Sequence, residues 1–208
     1  MTLRVLVGCE FSGVVREAFR ALGHDAVSCD LLPAEDGGPH LQVDVRLVVA
    51  CGWDLAIFHP PCTYLCSSGL HWNARVPGRA RKTDEALEFV RFLLDSPIPH
   101  MALENPAGRI GTAIRKADQR IQPWQFGHDA SKDTHLWLKN LPPLTPTAYV
   151  APRMVNGRPR WANQTDSGQN RIGPSADRWA QRSKTYPGIA AAMAAQWSAY
   201  VLAQREAA

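Results

Sequence analysis

The first 115 residues alternate short apolar runs with amphipathic segments, and this alternation restricts the fold more than any other feature. Runs of strand length lie at residues 3–8, 25–29 and 55–58, and an amphipathic helical pattern separates the first two. A second helical pattern at residues 84–94 precedes another apolar run at 100–104. Strands that alternate with helices form parallel sheets covered by helices on both faces. We therefore expect an α/β fold.

The remaining segments predict fewer regular elements. A short strand is expected at residues 41–45, and the stretch 64–82 reads as a polar, basic loop. A late strand is expected at residues 134–138, followed by a turn at two consecutive prolines. An Ala-rich pattern over residues 187–205 begins with proline, which favours the first position of a helix, and it predicts a C-terminal helix.

The composition suits one domain with a small appendage, because 45% of the 208 residues are hydrophobic. We expect a catalytic and cofactor-binding core in residues 1–140, a basic recognition lobe in 141–184 and a helix in 185–208 that packs back on the core. No signal-like pattern or membrane-length apolar run is present, which predicts a cytoplasmic protein. The five cysteines are expected to be free and mostly buried, with no metal site, because no His/Cys pair follows at zinc-like spacing.

Positive charge is concentrated in residues 151–184, where seven basic side chains face two acidic ones. This gives the segment a net charge of +5, although the whole chain carries only +4. The same segment contains Trp161 and Trp179, and basic surfaces with interleaved aromatic rings commonly bind nucleic acid. DNA is therefore the expected partner, and a solvated irregular lobe is the alternative interpretation.

Small and acidic residues at the first strand ends indicate a nucleoside pocket. Phe11, Ser12 and Gly13 occupy the first strand-to-helix turn, where glycine allows close approach of a ligand. Asp30 ends the second strand, where an acid commonly binds ribose hydroxyls, and Asp44 follows the third, where it could accept an adenine amine. The sequence contains neither the phosphate-binding loop motif nor the glycine-rich dinucleotide-binding motif. A sulfonium nucleoside therefore fits this pattern better than a dinucleotide. Each acid could instead cap its own loop.

A thiol and a carboxyl group follow two further strands. Pro60 and Pro61 end the run at 55–58 and place Cys62 at the rim of the sheet, where ligands bind in open α/β folds. Glu104 and Asn105 end the run that begins at residue 100. This pair predicts a nucleophile beside an acid, and burial is expected to raise the pKa of Glu104. Alternatively, Cys62 could be a structural cysteine and Glu104 a salt-bridged acid at the surface.

The order of these motifs resembles the DNA cytosine-5 methyltransferases. Those enzymes carry Phe-x-Gly, two acids, Pro-Pro-Cys with a Ser-rich loop, and Glu-Asn-Val in the same order. The corresponding residues here are Phe11-Ser12-Gly13, Asp30, Asp44, Pro60-Pro61-Cys62, Ser67-Ser68-Gly69 and Glu104-Asn105-Pro106. The segment Lys184-Thr185-Tyr186-Pro187 resembles the closing motif of that family, which packs beside the cofactor.

The resemblance implies a Rossmann-like fold and S-adenosylmethionine as the methyl donor, held by Phe11, Ser12, Gly13, Asp30, Asp44 and Pro60. It also implies that Cys62 attacks carbon 6 of a cytosine in DNA. The resemblance also implies that Glu104, together with Asn105, binds the edge of that cytosine. The short chain suggests a minimal enzyme of the kind that phages carry.

Two departures from the family pattern affect the binding residues. The glycine-rich first motif is reduced to Gly13, and the family's arginine-rich strand has no clean counterpart. Lys132 and Arg171 are the candidates for that role, and Ser67 and Ser68 are expected to contact substrate. Three alternatives remain open: methylation of an exocyclic amine, modification of free pyrimidine nucleotides or use of an altered sulfonium cofactor, and a non-catalytic DNA-binding module.

Overall fold

The protein is described by a computed structural model that covers residues 1–207. Nine strands lie in this part of the chain, and most of them occupy the expected apolar runs. In chain order they are β1 (Arg4–Gly8), β2 (Asp25–Cys29), β3 (His40–Leu41), β4 (Leu55–Phe58), β5 (His100–Asn105), β6 (Gln119–Ile121), β7 (Thr134–Lys139), β8 (Arg153–Val155) and β9 (Arg158–Arg160).

Six α-helices accompany these strands within residues 1–207, and 3-10 turns cover Val45–Leu47, Ser67–Ala74 and Pro123–Gln125. The helices are α1 (Val14–Ala21), α2 (Arg79–Leu94), α3 (Arg109–Ala113), α4 (Arg178–Ser183), α5 (Pro187–Ala192) and α6 (Ser198–Glu206). A π-helical turn, Met193–Trp197, joins α5 to α6. The expected C-terminal helix is therefore present, with one wide turn in its middle.

Seven strands form a single sheet in the order β3-β2-β1-β4-β5-β7-β6. Strands β1 to β5 are parallel, whereas β7 runs antiparallel to both β5 and β6. The first five strands follow the Rossmann order, with the switch point between β1 and β4. The expected Rossmann-like α/β fold is confirmed at this level. The carboxyl ends of β1 to β6 and the start of β7 all lie at one rim.

Each face of the sheet carries its own apolar core. On one face, α1, α5 and α6 cover alternate residues of the central strands, such as Val5 and Ile57. On the other face, α2 covers their neighbours, including Leu6 and Phe58. Strands buried on both faces read as continuous apolar runs, which is why β1 and β4 were recognisable in the sequence.

Several sequence-based expectations are wrong in detail. The 64–82 stretch is not a plain loop, because it contains a 3-10 helix and the start of α2 at Arg79. The helix expected at residues 84–94 therefore begins earlier in the chain, at Arg79. The strand expected at 41–45 is only His40–Leu41, and Asp44 begins a 3-10 turn. Strand β6 and the β8–β9 hairpin were not expected. The five cysteines are free, but the expectation that most are buried is wrong, because only Cys29 is buried, Cys9 and Cys66 are half-buried, and Cys51 and Cys62 are exposed.

Within residues 1–207, no helix is long and apolar enough to cross a membrane. The same part of the chain contains no group of three or more His, Cys, Asp or Glu side chains that could hold a metal ion.

Trp197 holds the C-terminal helical segment on the sheet, so its removal should test the fold. Its side chain is fully buried, and its indole N–H donates to the Pro142 carbonyl at 3.0 Å. Trp197→Ala should lower the free energy of unfolding by about 3–5 kcal/mol, because a large cavity forms in the core. Urea unfolding followed by circular dichroism measures this loss. Leu47→Ala, at a 73% exposed position, should change stability by less than about 0.5 kcal/mol.

Candidate active site

The predicted site residues come mainly from one rim of the sheet. This follows from the topology, because parallel strands end on the same side and their connecting loops therefore meet there. The residues concerned are Phe11, Ser12 and Gly13 after β1, Asp30 after β2, Asp44 beyond β3, Pro60 and Cys62 after β4, and Glu104 and Asn105 at the end of β5.

Glu10 occupies the N-terminus of α1 and was not singled out in the sequence. Its carboxylate is buried and accepts hydrogen bonds from the backbone N–H groups of Val15 at 2.7 Å and Arg16 at 3.2 Å. These free N–H groups are the ones that bind the pyrophosphate in dinucleotide-binding folds. A carboxylate already satisfies them here, so this helix start disfavours a phosphate. An acid directly before the Phe-Ser-Gly turn was the signal in the sequence.

Gly13 is required by both its conformation and its surroundings. Its φ of 73° lies in the left-handed region, and a Cβ atom would come within 2.3 Å of the Arg16 guanidinium. Arg16 is fully buried and pairs with Asp36, which follows the loop beyond β2. The Arg16 guanidinium therefore fills the space beside Gly13 and Gly38, where a Cβ atom on either glycine would meet it.

Asp30 and Asp44 both lie in loops at the rim, and both act as local caps. Asp30 accepts a hydrogen bond from the Leu32 N–H at 2.9 Å. Asp44 accepts from the backbone N–H and the guanidinium of Arg46, each at 2.9 Å, and the backbone bond is the main reason that its pKa is lowered. Asp30 also helps burial to raise the pKa of Cys9, so its charge lies close to the end of β1. Asp44 is the more fully engaged of the two.

Cys62 begins a single helical turn. The backbone N–H groups of Leu65 and Cys66 donate to the Cys62 carbonyl at 3.0 and 2.9 Å. Residues four apart in such a turn lie on the same side, so the two thiols are neighbours. Hydrogen bonding to the Cys62 thiol lowers the pKa of Cys66, assisted by a 3.3 Å contact with the Ser68 hydroxyl. The neighbouring Cys66 thiol and burial both raise the pKa of Cys62.

Two loops at the rim are paired along their backbones. Ser67 N–H donates to the Ala107 carbonyl at 3.0 Å, and Arg109 N–H donates to the Leu65 carbonyl at 2.7 Å. Gly108 lies between these bonds, and a Cβ atom there would be 2.0 Å from the Leu65 oxygen. Glycine is therefore needed for this close approach. The pairing ties the loop that carries Cys62 to the loop that follows Glu104.

Asn105 links the ends of β4 and β5 directly. Its buried carboxamide donates from Nδ2 to the Pro60 carbonyl at 2.7 Å. The bond spans the 45 residues between the two motifs and fixes the start of the Pro-Pro-Cys turn. Asn105 is therefore a positioning residue, and Pro60 is buried beneath the rim rather than presented at its surface.

Glu104 lies in a buried cluster with His59 and Lys132. The His59 Nδ1 and Glu104 Oε2 atoms are 2.9 Å apart, and both side chains are 10% exposed. Burial raises the pKa of Glu104, but the charge of Lys132 and the bond from His59 outweigh it, so its pKa is lowered. The expectation of a raised pKa is therefore wrong, and the carboxylate is the favoured form. His59, just before the two prolines, was missed as a site residue.

The segment after residue 180 closes one side of this cluster. Lys132 Nζ donates to the Lys184 carbonyl at 3.2 Å, and Lys184 pairs with Glu35 at 2.6 Å. Tyr186, together with Glu104 and Lys132, lines a small cavity. The Lys-Thr-Tyr-Pro segment thus packs at the rim, on the Glu104 side.

The basic lobe supplies fewer free charges than its composition suggests. Arg153 pairs with Asp166 at 2.6 Å, and Arg171 donates to the Gln164 carbonyl at 2.8 Å. Arg171 therefore holds the lobe together, and Lys132 is the candidate that lies beside Glu104. The lobe's Trp179 ring packs against Phe11 at the rim, with the ring centroids 5.6 Å apart.

No protein-family model matches this sequence, and a search of curated proteins found no match. Among solved structures, one similar chain is described as an NAD-dependent epimerase/dehydratase from Methylobacillus flagellatus. The sequences are 19% identical, the TM-score is 0.30, and the match covers 60% of this chain and 42% of that one. This likeness is too distant to assign a function.

The lowered pKa of Glu104 predicts a pH-dependent contribution to stability. A carboxyl group whose pKa is lower in the folded state stabilises the fold above its unfolded pKa of about 4.3, and this contribution disappears as the pH falls through the folded value. Glu104→Gln should therefore reduce stability most near neutral pH. Its deficit relative to the parent should shrink steadily below about pH 4. Urea unfolding across pH 3–7 measures this difference, and a constant deficit would contradict the assignment.

Proposed function

We propose that this protein transfers a methyl group from S-adenosylmethionine to carbon 5 of cytosine in DNA through a covalent bond to Cys62. One observation carries the proposal: the Cys62 turn and the Glu104 strand end are joined at a single rim, by the Asn105–Pro60 bond and by the backbone pairing around Gly108. A nucleophile and an acid–base group held in fixed relation can act on two atoms of one ring.

Cytosine needs both groups because its carbon 5 is a weak nucleophile. Addition of the Cys62 sulfur to carbon 6 shifts the ring electrons towards nitrogen 3, which takes up a proton. Carbon 5 then becomes part of an enamine and can attack an electrophilic methyl group. Loss of the protons from carbon 5 and nitrogen 3, with departure of the Cys62 sulfur from carbon 6 as a thiolate, restores the neutral aromatic ring. One of these protons can return to the thiolate and regenerate the thiol.

Cys62 must lose its proton before it can add to carbon 6, because the thiolate is the nucleophile. The pKa of Cys66 is lowered by the neighbouring Cys62 thiol and by the Ser68 hydroxyl, so Cys66 is the thiol of the pair that more readily exists as a thiolate. It is therefore the acceptor placed for that proton. The Ser68 hydroxyl supports this role through its contact with Cys66, which gives the Ser-rich loop a function next to the nucleophile.

Glu104 is suited to the opposite edge of the base. As a carboxylate it can accept a hydrogen bond from the exocyclic amine of cytosine, and His59 fixes one of its oxygens. In the proposed reaction the proton for nitrogen 3 passes through this carboxyl group, whose Oε2 atom lies 2.9 Å from His59 Nδ1. The Glu104–His59 contact thus supports a role in protonating the base, and this role does not require a raised pKa.

The cofactor side fits a cationic nucleoside better than a dinucleotide. The Glu10 carboxylate neutralises the partial positive charge at the start of α1. This carboxylate would repel a pyrophosphate, but it is compatible with a positively charged sulfonium. Phe11 and Trp179 offer aromatic surface, and Asp30 offers a carboxylate for ribose hydroxyls. When bound, S-adenosylmethionine supplies the electrophilic methyl group. The second half of the sheet also argues for one nucleoside, because β7 reverses direction where a dinucleotide fold repeats its parallel unit.

DNA is proposed as the substrate because the lobe around β8 and β9 retains a net charge of +5 over residues 151–184. Positive surfaces bind the phosphate backbone without regard to sequence. A cytosine within a duplex would have to leave the stack to reach Cys62, at a cost of a few kcal/mol.

Cys62→Ala should abolish covalent capture of the substrate. DNA that carries 5-fluorocytosine traps the adduct, since fluorine at carbon 5 blocks release of the enzyme after methyl transfer. With S-adenosylmethionine present, the parent should form a denaturation-resistant complex on a gel and Cys62→Ala should form none. Cys51→Ala removes an exposed cysteine elsewhere and should behave as the parent. An adduct that persists in Cys62→Ala would contradict the assignment.

Asp30→Asn should weaken the binding of S-adenosylmethionine by about 1.5–3 kcal/mol, the usual contribution of a hydrogen bond to a charged group. Isothermal calorimetry with the cofactor measures this change. Asp95→Asn, at an exposed position beyond α2, is the matched control and should bind as the parent does. NAD should give no binding heat, because Glu10 occupies the phosphate position. Saturable NAD binding, or an unchanged affinity in Asp30→Asn, would argue against the proposed cofactor.

A further inference from the structure

A second concave site lies at the same rim, beyond the edge of the Glu104 cluster. It is a pocket of about 340 Å³ on the side of β6 and the basic lobe. None of the groups assigned to methyl transfer lines it. Its walls are formed by Arg120, Gln122, Trp124, Gln125, Ser131 and Trp161.

Aromatic faces dominate one wall of this pocket. The rings of Trp124 and Trp161 are nearly parallel, with an interplanar angle of 14° and centroids 5.6 Å apart. Tyr149 contacts Trp124 with its ring tilted by 39° and the ring centroids 5.9 Å apart. Both indoles are only partly buried, although such large apolar rings usually lie deeper in a monomer. The three rings form a platform of the type on which nucleobases stack.

The other wall is polar and firmly held. The Gln122 side-chain oxygen accepts hydrogen bonds from the Ser131 hydroxyl at 3.3 Å and from the Lys132 N–H at 3.0 Å. The Gln125 side-chain oxygen accepts from the Gln122 N–H at 2.7 Å. Arg120 pairs with Asp133 at the edge and is 66% exposed. The wall thus presents carboxamides and a guanidinium beside the aromatic platform, which are groups suited to a base and its phosphate.

The topology places this pocket close to the proposed target site. Strand β6 lies two positions from β5 in the sheet, so the ends of these strands are separated by roughly 10 Å. Ser131 lines the pocket, and the next residue, Lys132, lines the small cavity that contains Glu104. One continuous strand of nucleic acid could therefore occupy both places.

We propose that this pocket binds one unpaired base of the DNA strand, next to the cytosine held at Cys62 and Glu104. This inference rests on the proposed function and names the form of its substrate, a locally single-stranded DNA. The volume is at the lower limit for ligand pockets and suits one nucleotide rather than a duplex. Trp161 comes from the lobe and Trp124 from the core, so both parts of the chain contribute to the pocket.

Binding of a fluorescent oligonucleotide tests the proposal independently of methyl transfer. The probe is a 12-nucleotide single strand without cytosine that carries 2-aminopurine, whose fluorescence falls when it stacks. The parent should quench the probe, and Trp161→Ala should weaken binding by about five- to 150-fold, the usual effect of removing one stacking ring. Trp161→Phe keeps a ring and should stay within a few-fold of the parent. Phe92→Ala, at a 39% exposed aromatic position on α2, is the control.

The outcomes separate this inference from the proposed function. If Trp161→Ala binds the single strand as the parent does while circular dichroism shows a folded protein, the proposed base subsite is wrong. That result would leave the proposed function in methyl transfer untouched. If the parent binds the strand through Trp161 but forms no methylcytosine, the subsite stands and the proposed function fails. A duplex probe with the same Trp161 dependence, or deoxyadenosine monophosphate bound as tightly as the strand, would overturn the claim of an unpaired base within DNA. Trp124→Ala repeats the test from the core side.

Discussion

The hydrogen bond from the Asn105 carboxamide to the Pro60 carbonyl joins the ends of β4 and β5, and the geometry of the candidate site depends on it. An isolated loop after a strand would be mobile, because its backbone groups bond mainly to water. Here the loop is also paired with its neighbour around Gly108, where only glycine allows the required approach. Glu104 is therefore held within strand β5, and Cys62 is held by a loop that is bonded both to the end of β5 and to the loop that follows it.

Charge is distributed unevenly along the rim, and this distribution separates two kinds of chemistry. Near α1, Glu10 offsets the partial positive charge of the helix start and Asp30 adds a carboxylate, which suits the positively charged cofactor that we propose. Lys132 and the lobe make the other side positive, which suits a phosphate backbone. Cys62 lies between the two. In the proposed reaction, the cationic methyl donor and the DNA would therefore approach the Cys62 thiol from opposite sides.

The cluster around Glu104 shows why burial alone is a poor guide to protonation. Desolvation opposes a charged carboxyl group, but Lys132 and a hydrogen-bonded His59 reverse the balance. His59 stands three residues before Cys62, and Lys132 precedes β7, which runs antiparallel beside β5. Only the pairing of β4, β5 and β7 brings these three side chains together. For this reason the motif around Glu104, taken by itself, wrongly predicted a raised pKa for its carboxyl group.

The sequence by itself determined the parallel half of the sheet, because strands buried on both faces form continuous apolar runs, and it located Cys62, Glu104 and Asp30 at strand ends. It also showed the excess charge of residues 151–184. Tertiary structure decided the rest. Strand β6 has only three residues, and the β8–β9 hairpin has little apolar pattern, so neither carries a local signal. The roles of Glu10, His59 and the Trp124–Trp161 platform depend on contacts between residues far apart in the chain, which no local pattern records.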